Sequence, residues 1–262
     1  MSDLEERTSR RIMLRVAYDG TGYHGWQKQN NGITIEEVLN DALSELLGEE
    51  IAVCGGSRTD AGVHAYDNVA VFDTTARIPA EKMPYALNRR LPDDIRIMSG
   101  AEVAEDFHPR HCDSVKTYEY RILNAPFQIP QYRLYHYWTY VPMDVEKMRA
   151  AAVPLIGEHD FTSFCSLYAQ AEDHVRTIYG IDIEKKALSG SVAGAAREIV
   201  IRVSGNGFLY NMVRIIAGTL MEAGRGRMTA EDVARILEAQ ERHQAGPTAP
   251  PQGLALVDYR FV

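Results

Sequence analysis

The sequence predicts an α+β fold of two halves that share one element order, with mainly antiparallel sheets joined around a central cleft. Short runs of alternating apolar residues mark strands, and segments of helical period separate them. The order strand, helix, strand, strand, helix, strand occurs once in each half, which is the ferredoxin-like pattern. The 262 residues are enough for two such halves. The division is expected at 108/109, inside the polar, Pro-containing stretch 104–114 (AEDFHPRHCDS), giving domains 1–108 and 109–262.

In the first half, residues 11–18 (RIMLRVAY) read as a strand that ends in a Gly-rich turn, DGTGYHGW. Thr34 opens a helix, and Glu37 three residues on completes a capping box. Ile35, Val38, Leu39, Ala42, Leu46 and Leu47 then fall on one face, and Gly48 stops the helix. Strands follow near 50–54 and 66–73, on either side of GGSRTDAGVHA. A second helix begins after Pro79 and runs to about Arg90, with a strand near 94–103.

In the second half, residues 115–123 (VKTYEYRIL) alternate as a strand, and 134–140 are apolar and aromatic. Asp144 caps a helix toward Leu155, which Pro154 ends or bends early. Strands near 175–184 and 197–204 precede a very apolar helix over 208–223 with Gly224 as its C-cap. Thr229 and Asp232 start a short helix. After the loop QAGPTAPPQG, residues 254–261 form the last strand.

Composition narrows the function classes. Hydrophobic residues make up 45% and charged residues 24%, as in globular proteins. No apolar run approaches the roughly 18 residues that span a bilayer. The opening MSDLEERTSRR lacks the basic-then-apolar pattern of a secretory signal. Cys54, Cys112 and Cys165 are odd in number and form no CxxC, which fits reduced thiols in a cytoplasmic setting. Lys and Arg total 28 against 36 acidic residues, a net charge of -8. A nucleic-acid partner therefore requires the basic residues to be gathered on one face. Arg58, Arg89, Arg90, Arg110, Arg225 and Arg227 are the candidates for that face.

Chemistry concentrates in few places. Asp60 lies in SRTDAG between two strands, where an Asp most often braces a turn through its own side chain. Arg214 lies in FLYNMVRIIAGTLM among apolar neighbours, and an unpaired guanidinium there is costly. It must meet a carboxylate at a cleft or snorkel to the surface. A carboxylate paired with Arg stays ionised and oriented, as a nucleophile or general base requires. Tyr118, Tyr120 and Ile122 share a strand face that serves either as core or as a platform for bases. Arg58 is an exposed turn residue, a phosphate contact, or a side chain that fills the gap left by an extruded base. His108, His111 and Cys112 do not match metal-ligand spacing, and His24 and His64 read as structural. No segment has P-loop or dinucleotide spacing, and Ser163 and Ser166 lack a GxSxG setting. No cofactor is expected.

SRTDAGVHA closely resembles the GRTDAGVHA segment of the tRNA pseudouridine synthase A family. The resemblance extends through YDGTGYHGWQKQ, KTYEYRI, GEHDFTSFCS, GFLYNMVRIIAGTL and QGLALVDY, nearly the whole chain. It implies an isomerase that converts uridine to pseudouridine at positions 38 to 40 of the tRNA anticodon arm, as a cytoplasmic homodimer without metal or cofactor. By the same resemblance Asp60 is the catalytic aspartate, Tyr118 the tyrosine that stacks on the target uracil, and Arg214 the partner of the aspartate. Leu254 packs beneath the site, and Arg58 assists flipping of the base. Three departures stand out: Ser57 for a glycine, Tyr66-Asp67-Asn68 for a stretch ending in Gln, and Pro154 within a helix. The alternatives are a non-catalytic RNA-binding module on the same sheet, and an enzyme of a small nucleoside or sugar with one carboxylate.

Overall fold

Alternation places Ile12, Leu14 and Val16 on one fully buried face of the first strand, β1 (Arg10–Tyr18), and leaves arginines on the other. The computed structural model describes residues 9–166, 173–188 and 196–262, so residues 1–8, which bear on the secretory reading, lie outside it. The fold is mixed α+β with mostly antiparallel strands. The chain divides into two compact units, Met1–Asp113 and Ser114–Val262.

In the first unit, α1 (Ile35–Leu47) follows β1. Then come β2 (Cys54–Gly55), β3 (His64–Thr74), α2 (Met83–Leu87) and β4 (Ile95–Val103). The strands run in the order β4-β1-β3-β2, every pair antiparallel. The outer face of β1 is charged, with Arg11 holding Asp73 through two 2.8 Å bonds and Arg15 holding Asp67 at 2.9 Å. Thr34 Oγ1 accepts from the Glu37 amide, and Gly48 closes α1 in the left-handed region (φ 68°). The Glu37 carboxylate lies 4.0 Å from Lys28 Nζ. Ile35, Leu39, Ala42 and Leu43 are the buried residues of α1, whereas Val38, Leu46 and Leu47 are half-buried.

Two elements are shorter than periodicity predicts. The strand expected over 50–54 shrinks to Cys54–Gly55. The amides of Ile51 and Val53 donate instead to Ser44 Oγ (3.0 Å) and Asn40 Oδ1 (2.8 Å) of α1. The helix expected to reach Arg90 is α2 only to Leu87. Just beyond it, Asn88 exchanges two bonds with the backbone of Ile97 on β4 (2.9 and 2.8 Å), which turns the chain off the helix axis.

The second unit contains β5 (Ser114–Asn124), β6 (Tyr137–Thr139), α3 (Val145–Ala152), β7 (Gly157–Asp160) and β8 (Val175–Ala187). β9 (Arg197–Gly205), α4 (Met212–Gly224), α5 (Ala230–Ala239) and β10 (Leu254–Phe261) follow. The sheet order is β10-β5-β9-β8-β7, with β6 parallel beside β5. β5 is central, and its Tyr120, Ile122 and Leu123 are fully buried. Asp144 accepts from the amides of Glu146 and Lys147, and α3 gives way at Pro154 to a 3₁₀ turn over Val153–Leu155. Thr229 and Asp232 form the capping box of α5. β7 escaped the sequence reading because its four residues, GEHD, show no alternation of apolar side chains.

The apolar helix starts at Met212, not 208, because Asn211 adopts φ 62°, a left-handed conformation incompatible with a preceding helical turn. Gly224 is its last residue rather than a cap. The left-handed position is Gly226 (φ 76°). No helix among the described residues is long and apolar enough to cross a membrane.

Candidate active site

The loop that carries Asp60 is fixed from beneath. β2 pairs with β3 only as far as Gly56, whose amide donates to Val69 O at 2.8 Å. At the next step the fully buried side chain of Asn68 takes over. Its Oδ1 accepts from Ser57 N (3.2 Å) and its Nδ2 donates to Ser57 O (2.9 Å). Nδ2 also donates to Tyr18 Oη (3.1 Å), which lies 2.7 Å from Thr59 Oγ1. Thr59 O accepts from the Trp26 amide at 3.0 Å. Residues 57 and 59 are therefore held inward, Arg58 between them is exposed, and Asp60 is half-buried.

A tight turn follows. Asp60 O accepts from Val63 N (3.1 Å), and Gly62 at its third position has φ 77°, the positive value that a type II turn demands there. Gly62 N donates to Tyr23 O, and His64 Nδ1 lies 3.1 Å from both the Gly20 amide and Asp19 Oδ1. Gly25 (φ 88°) lets the DGTGYHGW turn approach so closely that a Cβ there would sit 2.6 Å from Thr59 O. Tyr23 donates to Asp94 at 2.6 Å. Burial, then that bond, holds its hydroxyl well above the ordinary tyrosine value, so it stays protonated.

Arg110 is exposed on the turn that follows Phe107, with its Nη2 3.8 Å from Cys54 Sγ of β2. His108 and His111 stack there at 3.9 Å. Burial, then His111, Arg110 and Arg11, lowers the His108 pKa. Among the described residues, no group of three or more His, Cys, Asp or Glu side chains is placed to hold a metal ion. Arg89 and Arg90 are exposed, but Arg225 is largely buried against Glu222 (3.0 Å) and Thr139. Arg227 also bonds Glu222, so these two serve the second unit's own structure.

Within the second unit, Arg214 and Glu222 are the only residues of α4 that are not buried. Arg214 is aimed by two short bonds, Nη1 to Asn211 Oδ1 (2.6 Å) and Nε to Ala249 O (2.8 Å). The Ala249 amide returns a bond to Arg214 O at 3.1 Å, and Gly246 N binds Thr219 Oγ1 at 2.9 Å. The segment read as the loop QAGPTAPPQG is thus a strap laid along α4. It fits because Gly218 has no side chain where Pro247 O passes. The strap continues through Pro250, whose carbonyl accepts from Tyr120 Oη (2.9 Å), to Leu254 at the start of β10.

Tyr118 is 6% exposed, meets Phe208 edge-to-face at 5.3 Å, and faces Leu256 and Val203 in register. Leu254 is paired opposite Tyr120 and is buried. Tyr120 and Ile122 belong to the core. Burial pushes the Tyr120 hydroxyl far above its ordinary value. On the other face of β5, Glu119 is gripped by Arg121 and Arg202. Burial works against its charge, but their hydrogen bonds outweigh it and hold the carboxyl below the usual range.

Sequence reasoning did not assign Tyr18, Gly25, Asn68, Asn211 or the strap 246–250. The one local signal was that Asn, which tolerates positive φ better than most residues, stands where α4 must begin. The rest depend on partners 10 or more residues away.

A family model described as tRNA pseudouridine synthase matches residues 15–111 and 151–262. A protein of Thermoanaerobacter sp. (strain X514) named tRNA pseudouridine synthase A is 46% identical over 248 residues, 95% of this chain and 98% of that protein. Proteins of the same name from Ruminiclostridium cellulolyticum and Myxococcus xanthus are 46% and 45% identical. They cover 96% and 94% of this chain, and 100% and 90% of their own lengths.

Proposed function

The chain belongs to the tRNA pseudouridine synthase family, isomerases of uridine in tRNA, and from that premise we propose that Asp60 is the catalytic carboxylate and that the targets are uridines 38 to 40 of the anticodon arm. The observation that carries the assignment of Asp60 is its setting. A half-buried carboxylate opens a tight turn, and residues 57 and 59 just before it are tied to buried partners, so its position is over-determined. Such over-determination is what a precisely aimed catalytic group requires.

The chemistry fits one carboxylate. The N-glycosidic bond breaks, the uracil turns, and its C5 rejoins the ribose carbon while the C5 hydrogen leaves as a proton. No atoms are added, so no cosubstrate is consumed. Asp60 either attacks the sugar carbon or removes a sugar proton to start elimination, and both routes need it ionised. Arg214 serves as its cationic partner, already oriented by Asn211 and Ala249. Tyr118 stacks on the freed base, Leu254 packs beneath it, and Arg58 fills the gap that the flipped nucleotide leaves. Arg110 contacts phosphate. The enzyme works as a homodimer in the cytoplasm. Each half is ferredoxin-like, a reading that the orders β4-β1-β3-β2 and β10-β5-β9-β8 support.

Replacing Asp60 by Asn tests the proposal. The variant should bind tRNA with affinity near the parent's and form no measurable pseudouridine. Parental turnover by that variant, or turnover of free uridine by the parent, would overturn it.

A further inference from the structure

Ser57 and Asn68, 11 residues apart, are bonded to each other, and Tyr18 extends that bond to Thr59. We propose that Asn68, acting through Tyr18, is the positioning residue that sets the pose of Asp60. The inference deepens the reading of Asp60 as the catalytic carboxylate and rests on it.

The amide of Asn68 is fully committed. Oδ1 accepts from Ser57 N and from Val69 N (2.8 Å), and Nδ2 donates to Ser57 O and Tyr18 Oη. Toward Ser57 it offers one donor and one acceptor, as a strand's own peptide group would. It therefore extends the β2–β3 ladder by one step with a side chain. The Asp60 loop leaves β3 on that side, while β3 stays paired with β1, and both backbone polar groups of Ser57 are satisfied inside the protein. Tyr18 comes from β1, the neighbouring strand, and its ring lies 6.0 Å from that of Trp26. Its hydroxyl brings Thr59 into the same network. Residues 57 and 59 are consequently tied to one buried amide at 0% exposure, and Asp60 follows directly on the second of them. Neither Asn68 nor Tyr18 needs to touch the substrate for this. Their contribution is to hold Asp60 to within a fraction of an ångström, the tolerance over which proximity effects on rate are lost.

The test compares Tyr18→Phe, Asn68→Asp and Asp60→Asn in the full chain. Each is assayed by release of tritium from tRNA carrying 5-tritiated uridine, at saturating enzyme and at a temperature where circular dichroism shows the variant fully folded. Affinity for tRNA is measured separately by filter binding. Tyr18→Phe keeps the ring and removes only the hydroxyl that joins Asn68 to Thr59. It should slow the single-turnover step about tenfold or more and change tRNA affinity less than twofold. Asn68→Asp turns the donor that faces Ser57 O into an acceptor and should lose more. Should that variant fail to fold, Tyr18→Phe decides alone. A merely structural role for the network would lower the melting temperature and leave the rate of the folded enzyme unchanged. A Tyr18→Phe rate within twofold of the parent, with Asp60→Asn inactive, would overturn the positioning role and leave Asp60 in place. Parental turnover by Asp60→Asn would remove both.

Discussion

Gly25→Ala isolates the contact between the DGTGYHGW turn and the Asp60 loop. Gly25 has φ 88°, and a Cβ on it would lie 2.6 Å from Thr59 O and 3.1 Å from Ala61 N. Ordinary contact begins at 3.4 Å, so the loop must retreat by about 0.8 Å, or the turn by the same amount. The left-handed backbone adds about 1–2 kcal/mol for any residue with a Cβ. A displacement approaching 1 Å next to the reacting group costs on the order of 10²-fold in rate. The expected result is a loss of roughly that size in the single-turnover rate of pseudouridine formation, with tRNA binding retained. Gly22→Ala is the matched control, because a Cβ there meets nothing within 4 Å and no positive φ is involved. Tritium release at saturating enzyme measures both variants, and thermal melts show how much folded protein each assay contains. A Gly25→Ala enzyme within threefold of the parent, or a Gly22→Ala enzyme equally impaired, would refute the claim that the close approach of these segments sets the site.

Asn211→Gly keeps the left-handed start of α4 and removes the acceptor of Arg214 Nη1. It should lose about tenfold in rate, the worth of the charge-assisted bond to Arg214, and melt somewhat lower because the 2.8 Å bond from Asn211 Nδ2 to Ser166 Oγ is lost as well. An unchanged rate would mean that Asn211 is not needed to orient Arg214. Glu119→Gln should cost about 1–2 kcal/mol in urea denaturation at pH 7. That is less than for a deeply buried pair, because the Arg121 and Arg202 side chains are 28% and 42% exposed. Since the folded pKa of Glu119 is depressed, its contribution is present above its unfolded pKa of about 4.3 and is lost as pH falls through the lower folded value. The variant should therefore show a shallower acid decline, and parallel declines would refute the assignment. Binding of tRNA should weaken with salt, and Arg89→Ala should reduce the slope of log affinity against log salt by about 0.7–0.9. A flat dependence in the parent would dismiss the basic face.

Much of the architecture is local and was therefore readable from residues alone. Thr34 and Gly48 bound α1, Asp144 and Pro154 bound α3, and Thr229 with Asp232 opens α5, because caps and prolines act on hydrogen bonds within one turn. Alternation on β1 and β5 located those strands for the same reason. The motif around Asp60 and the isolated charge of Arg214 singled out both residues before any coordinates. What sequence alone left open is how each is aimed. Asn68 stands in for a strand backbone, Asn211 takes a left-handed turn, and the strap through Ala249 lies against Gly218, each through partners that chain proximity does not specify. A side-chain amide bonds whichever backbone group the fold brings within about 3 Å, and that choice is made only when distant segments pack together.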